Sequence, residues 1–375
     1  MTMDRVGRPG VVAITFSARG GGIAAVSRLL QEAITDAVGT PCRTWTLSDS
    51  DDTFDTSIGE RLAFGGRITK AQIAGECDWL FYSHLSLATI QGMLPGLLGR
   101  PYAVFLHDIE AWEPLSPFRR RVLAGAFLRL ANSRYTARRV AAANPGCGAV
   151  IACPLALPSG WETAASDAPL AHAMGSEAVV ILGRMIATER YKGHDQLLEA
   201  WPRVVAARPQ ARLLCVGEGD DVPRLRTKAE SLGIGGHVDF PGFVSDAVRR
   251  SVYKRAAVFA MPSRREGFGL VYLEAMASRL PCIGSTHDAA SDVIVDNVTG
   301  FLVAQDDADG LAGRLVQLLA DEPLRRRMGE AGHERYLSEF TYEAFRRRLI
   351  SHIVEARMEP RDVTTGADVA AGRLT

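Results

Sequence analysis

The sequence has no closely spaced cysteine pair, no apolar run long enough to cross a bilayer and no excess of charge of either sign. Each absence removes a class of function. Its six cysteines, Cys42, Cys77, Cys147, Cys153, Cys215 and Cys282, are scattered and form no CxxC pair, so neither a zinc site nor a disulfide framework is expected. With no recognisable signal peptide, the expected setting is a reducing cytoplasm. No stretch reaches the roughly 18 apolar residues of a spanning helix, which leaves only surface contact with a membrane. Basic and acidic residues number 43 each, which argues against a nucleic-acid binder held by bulk charge.

What is present reads as two α/β domains. A chain of 375 residues, 47 % hydrophobic and 23 % charged, is too long for one comfortable core. Short apolar or β-branched runs at Val11–Phe16, Arg43–Leu47, Trp79–Ser83, Tyr102–Leu106, Leu128–Ala131 and Val150–Ala152 predict strands. Helical patterns at Ile23–Val38 and Ile58–Ala74 separate the first of them. Residues 158–176 lapse into Pro, Gly, Ser and Ala and predict a linker. A second series follows, with strands near 178–182, 211–216, 237–240, 256–261, 281–284 and 301–303. Its helices are expected near 194–207, 222–232, 246–255, 269–279, 307–320 and 323–338, with a last helix at Tyr342–Met358 and a disordered tail beyond. Such alternation predicts two doubly wound parallel sheets facing a cleft. The expected division is 1–165, 176–340, a helix at 341–358 that could cross back, and a tail at 359–375.

Three segments carry chemistry. The first strand leads through Ala18-Arg19-Gly20-Gly21-Gly22 into a helix, where bare backbone and a helix start suit an anion. Residues 20–25 also satisfy G-x-G-x-x-A, a dinucleotide pattern that means little in a glycine triplet; a tight turn without ligand is equally consistent. In the second half, Gly183-Arg184 ends a strand and Glu189-Arg190-Tyr191-Lys192-Gly193-His194 follows. Ligands of open α/β sheets lie at such carboxyl ends, and an arginine fork with a lysine point charge suits a diphosphate. Solvated surface charge is the plain alternative.

The third segment, Met261–Ser285, runs from a strand through Glu266-Gly267-Phe268-Gly269 into an apolar helix that contains Glu274. Backbone donors at that helix start again suit phosphate. A carboxylate among Leu270, Val271, Leu273, Ala275, Met276 and Ala277 is costly unless hydroxyls or a cation meet it. Eight helical residues rise about 12 Å, whereas hydrolase carboxyl pairs stand about 5–9.5 Å apart. The two glutamates are therefore expected to hold different parts of one long ligand, such as a nucleotide sugar.

Together these pieces resemble the retaining GT-B glycosyltransferases of family 4. The likeness rests on Gly20–Gly22, His107-Asp108, Asn132-Ser133, Gly183-Arg184 with Lys192-Gly193-His194, Val216-Gly217-Glu218-Gly219 and Phe240-Pro241-Gly242-Phe243-Val244. It closes on the Glu266/Glu274 pair and Asp296–Val303, and spans residues 10–340. It implies a metal-independent hexose transfer from a donor of the GDP-mannose or UDP-glucose type to a glycan or lipid-linked acceptor, in exopolysaccharide or cell-surface glycan synthesis. By that resemblance Arg184 and Lys192 neutralise the diphosphate, Glu266 holds sugar hydroxyls, and His107 contacts the sugar and its phosphate. Glu274 accepts from the ribose, and Phe243 and Val244 lie along the base. Further donor contacts fall on Gly21, Gly22, Gly183, Gly217, Gly267, Phe268, Gly269 and Leu270. No cofactor and no metal ligand is implied. The acceptor-facing loops match no subgroup pattern.

Between Pro114 and Trp161 stand seven arginines and no acidic residue, interleaved at 118–139 with Phe118, Val122, Leu123 and Phe127. A basic amphipathic helix there would suit an anionic membrane surface. A nucleotide-sugar epimerase and a non-catalytic nucleotide-binding protein remain rival readings of the whole.

Overall fold

The computed structural model describes residues 6–17, 21–48, 56–108, 110–164 and 174–358. Gly20 of the glycine loop, positions 165–173 of the expected linker and the expected tail from 359 therefore lie outside the described residues.

Most of the strands are short and apolar because helices cover both faces of each sheet; the edge strand Arg43–Thr46 is the polar exception. The first six are β1 (Pro9–Ala13), β2 (Arg43–Thr46), β3 (Trp79–Tyr82), β4 (Tyr102–Leu106), β5 (Leu128–Ala131) and β6 (Ile151–Ala152). The next six are β7 (Ala178–Leu182), β8 (Arg212–Val216), β9 (Val238–Gly242), β10 (Val258–Ala260), β11 (Cys282–Ser285) and β12 (Gly300–Val303). Helices of the first half are α1 (Gly21–Val38), α2 (Ile58–Ile73), α3 (Leu85–Met93), α4 (Pro117–Gly125) and α5 (Arg134–Ala143). Those of the second are α6 (His194–Ala207), α7 (Val222–Ser231), α8 (Asp246–Arg255), α9 (Leu270–Ala277), α10 (Ala290–Val293), α11 (Ala308–Ala320), α12 (Glu322–Glu339) and α13 (Tyr342–Met358).

Two six-stranded sheets result, in the orders β2-β1-β3-β4-β5-β6 and β12-β11-β10-β7-β8-β9. The strands pair in parallel throughout. Strand order reverses between β1 and β3 in the first sheet and between β7 and β10 in the second. Such reversals leave a crevice at the carboxyl ends of the strands.

The helix α3 was not expected from the sequence. Its apolar residues trace no stripe, and its N-cap is the His84 ring, which accepts from the Ser86 N–H at 3.2 Å rather than the usual Ser, Thr, Asp or Asn oxygen. The short α10 also lacks a sequence signal.

The last helix lies against the first lobe. α13 packs on α1 and β5, the Tyr342 hydroxyl donates to Asp36 at 2.5 Å, and Arg348 donates to the Pro154 carbonyl at 2.8 Å. Phe345, Leu349 and Ile353 are fully buried there. One apolar cluster consequently runs from one face of the first sheet, through α13, into the second lobe, while another fills the opposite face of the first sheet. No described helix is long and apolar enough to cross a membrane.

The arginine-rich stretch 118–139 is not one amphipathic helix. It divides into α4, β5 and α5. Arg129 turns inward, donating to the carbonyls of Ala126 at 2.5 Å and Ala149 at 2.9 Å, and so caps its own surroundings.

Candidate functional site

The carboxyl ends of β7, β8 and β10 are drawn together by backbone contacts that exclude side chains. Gly217 (φ +135°) lies so close to Gly183 that a Cβ would stand 2.0 Å from the Gly183 carbonyl oxygen. Gly193 (φ +99°) begins α6 against Pro262, where a Cβ would meet the Pro262 carbonyl at 2.9 Å. Arg264 N–H donates to the Tyr191 carbonyl at 3.0 Å, and Gln305 ties Tyr191 and Pro262 together at 3.2 Å each. The loop after β7 is thus sewn to the loop after β10.

That seam brings Lys192 to Glu266. Their Nζ and Oε2 are 3.2 Å apart, and both side chains are 19 % exposed. Glu266 holds the ammonium charged, raising the Lys192 pKa against the cost of burial. The Lys192 stem also passes 3.6 Å from the Cβ position of Gly183. Arg184 lies one residue further along but turns outward to Glu189, 2.6 Å away, with 63 % of its side chain exposed. In this structure the loop brings Lys192, Glu266 and Gly183 together and leaves Arg184 outside that contact.

Behind Glu266 sits a buried carboxyl that sequence reasoning missed. Asp288 is fully buried; it accepts from the Ser263 hydroxyl, from Glu266 N–H at 3.3 Å and from Ala290 N–H at 2.9 Å. Burial pushes its pKa up to about 7. In sequence it is one aspartate in Thr286-His287-Asp288-Ala289, with no pattern to set it apart from a surface loop.

The β10–α9 loop continues across to the first lobe. A Cβ on Gly267 would lie 2.4 Å from the His107 carbonyl oxygen and 2.7 Å from Asp108 Cβ, so only glycine permits this approach. The Thr136 hydroxyl bridges the two, 3.4 Å from the His107 carbonyl and 3.3 Å from the Gly267 carbonyl. Gly269 (φ +84°) caps α9, whose next residue is Leu270, and the N–H groups of Gly267, Phe268 and Gly269 have no acceptor among the described residues. Phe268 itself points into the core against Phe340, so only its backbone faces the crevice.

His107 is buried at the end of β4. Its Nε2 faces the Ser83 carbonyl, which makes that nitrogen the donor and leaves Nδ1 as an acceptor. Burial lowers its pKa and keeps the ring neutral. Glu110 supports it from behind, accepting from His107 N–H at 3.0 Å and from Leu85 N–H at 3.1 Å while its Oε2 meets His84 Nε2 at 2.8 Å. Burial opposes the charge on Glu110, but His84 and the His107 N–H outweigh it and hold the carboxylate well below its ordinary pKa.

Glu274 receives the cation that its apolar surroundings demanded. Arg249 of α8 places Nε 3.3 Å from Glu274 Oε2. Burial still pushes the carboxyl pKa up, with Arg249 opposing. Glu274 Oε2, Arg249 Nε and the Tyr253 hydroxyl are buried against one another, with both the guanidinium and the hydroxyl facing the carboxylate. Phe243, 64 % exposed, and Val244 form the β9–α8 loop beside this cluster's helix. In the first lobe Gly21 and Gly22 begin α1 with open space where a Cβ would stand.

Residues 164–335, a little under half of the chain, match the family described as glycosyl transferases group 1. Among curated relatives, a phosphatidyl-myo-inositol mannosyltransferase of Mycolicibacterium smegmatis is 40 % identical over 173 residues, 45 % of this chain and 44 % of its own length. A lipopolysaccharide core biosynthesis glycosyltransferase of Rhizobium meliloti is 33 % identical over 186 residues, 50 % of this chain and 52 % of its own length. The chain spans about half the length of the curated relatives it matches. Among solved structures, Anabaena Alr3699/HepE in complex with UDP superposes with a TM-score of 0.73 at 17 % identity, covering 93 % of this chain and 100 % of that one. Sucrose-phosphate synthase of Thermosynechococcus elongatus gives 0.71 at 21 % identity, covering 92 % and 98 %. The fold is GT-B: two Rossmann-like α/β lobes.

Proposed function

We propose that this chain is a retaining glycosyltransferase that moves a hexose from a nucleotide diphosphate sugar to a glycan or lipid-linked acceptor on the cytoplasmic side of the membrane. The observation that carries the reading is the half-buried Lys192–Glu266 pair at the carboxyl edge of the second sheet, where its strand order reverses. A lysine and a glutamate so placed are exchangeable partners. An incoming diphosphate takes the ammonium, and the carboxylate is released to accept from sugar hydroxyls. Arg184 trades Glu189 for a phosphate oxygen, and the free N–H groups of Gly267–Gly269 face the charge that builds on the leaving group. These donors take the part that a metal ion plays in other transferases. The bond from the sugar's anomeric carbon to the phosphate breaks, the acceptor oxygen bonds to that carbon on the same face, and the departing phosphate oxygen takes the acceptor's proton. Neutral His107 offers Nδ1 to a sugar hydroxyl, and the Glu274–Arg249–Tyr253 cluster meets the ribose.

The mannosyltransferase relative favours a mannose donor, and the UDP complex favours a uridine one. Thermal stabilisation by UDP-, GDP- and ADP-sugars separates them, because a ligand that binds only the folded state raises its melting temperature. Nucleotide release that requires both donor and acceptor is the expected result. Release without acceptor, epimerised donor, or binding without any turnover would each end the transferase reading.

The membrane reading shifts with the structure. Arg129 is turned inward and Arg139 covers Trp112, so neither serves a bilayer. Arg120 and Arg121 on α4 are exposed, as is Phe118, and the neighbouring end of α3 and its loop expose Met93 and Leu97. A lipid-linked acceptor would be approached through this α3–α4 surface.

A further inference from the structure

A cavity of about 550 Å³ opens at the seam between the lobes, lined by Trp112 and Arg139 from the first lobe and by Arg264, Arg265 and His287 from the second. Arg264 and Arg265 directly precede Glu266, and His287 directly precedes Asp288, so the cavity borders the same loop that holds the Lys192–Glu266 pair. Three guanidinium groups line it. None has a carboxylate within 4.0 Å among the described residues; Arg226 and Arg314 of the second lobe share that state, so it is the gathering of three such arginines at one cavity that sets them apart. All three are exposed, and like charges around one cavity repel, a cost that is relieved when an anion enters.

The first-lobe side of the cavity is built rather than incidental. Arg139 lies over the Trp112 ring at 5.1 Å and the Tyr135 ring at 5.8 Å, and donates to the Tyr135 hydroxyl at 3.2 Å. Tyr135 in turn donates across the seam, from its hydroxyl to the His287 carbonyl at 3.0 Å and from its N–H to Asp292 at 2.7 Å. Asp292, the carboxylate that faces Tyr135 across the seam, is thereby occupied. Gln305 N–H points to His287 Nδ1 at 3.4 Å, so in the neutral ring Nε2 carries the proton and is a donor.

We propose that this cavity binds a phosphate group carried by the acceptor, and so selects anionic acceptors. Planar guanidinium forks match phosphate oxygens bidentately, and three of them drawn from both lobes fix the group's orientation next to the reacting carbon. The proposal rests on the transferase reading for the word acceptor; the anion site itself stands on the cavity and its charges.

Calorimetry on the full chain tests it, with glucose 6-phosphate as probe, glucose and glucuronate as controls, and UDP and GDP titrated separately. Wild type should bind glucose 6-phosphate and not glucose. R264Q/R265Q and, independently, R139Q should each weaken that binding at least ~10-fold, the scale of a lost charge-assisted contact, while nucleotide affinity stays within about twofold. Glucose 6-phosphate affinity unchanged in both variants overturns the proposal, as does equal binding of glucose. Glucuronate binding as tightly as the phosphate overturns the phosphate assignment. Nucleotide affinity falling in parallel assigns the arginines to the donor diphosphate and overturns the proposal too. Absence of nucleotide binding in wild type instead defeats the transferase reading and leaves the arginine-dependent anion result to be judged by itself.

Discussion

Lys192 and Glu266 are 74 positions apart in the chain and 3.2 Å apart in space. Either side chain alone reads as surface charge; together they form the most informative pair in the molecule. Lys192→Ala and Glu266→Ala should each reduce transfer at least ~100-fold, the scale of a lost transition-state stabiliser, with the circular dichroism spectrum unchanged. Near-normal turnover in both would remove the site. Asp288 makes a separate, pH-dependent claim. Its folded pKa of about 7 stands above that of an unfolded aspartate. The folded state therefore keeps the proton more tightly, and the stability that comes with it is full below the unfolded pKa and lost as pH rises through about 7. In urea titrations at pH 5, 6, 7 and 8, Asp288→Asn should gain on wild type as pH rises and the gap should level off above pH 8. A gap independent of pH would mean that Asp288 is ionised throughout.

At the scale of elements, two features hold the site in shape. The start of α9 depends on Gly269, whose φ of +84° and closeness to Tyr272, 2.5 Å from a would-be Cβ, both exclude a side chain. Gly269→Ala should cost about 1–3 kcal/mol by chemical denaturation; a neutral result would show that the turn has slack. Helix α13 buries Phe345, Leu349 and Ile353 against the first lobe although it follows the second in sequence. Each such side chain contributes about 1.5–3 kcal/mol on burial. Strands β3, β4 and β7 were legible from sequence because a short, wholly apolar run admits little else once helices must cover both faces. Helix α3 was not, since it carries neither a stripe nor a conventional cap. The basic run 118–139 was legible as composition, but one amphipathic helix through it was incompatible with the strand expected at Leu128–Ala131, and it is that strand which the structure contains.

For the whole molecule, the seam between lobes is the decisive feature. Gly267→Ala would press a methyl within 2.4 Å of the His107 carbonyl. The lobes should part, seen as a larger radius of gyration in small-angle scattering together with slower transfer; unchanged dimensions would show that the contact is dispensable. The α3–α4 surface predicts co-sedimentation with anionic vesicles at low salt and release at high salt, since contacts between exposed charges are screened. No binding at low salt would end the membrane reading.

The sequence by itself determined the two alternating α/β series, the strands and most helices, and the chemical types present in the loops. Local periodicity and glycine placement suffice for these, because they act over a few residues. Only the tertiary structure decided that Lys192 meets Glu266, that Arg249 answers Glu274, that Asp288 stands behind the Glu266 loop, and that three arginines with no carboxylate partner among the described residues line one interlobe cavity. Those facts depend on which strand ends lie side by side. That is fixed by sheet order and by backbone approaches at Gly193, Gly217 and Gly267, which no local pattern encodes.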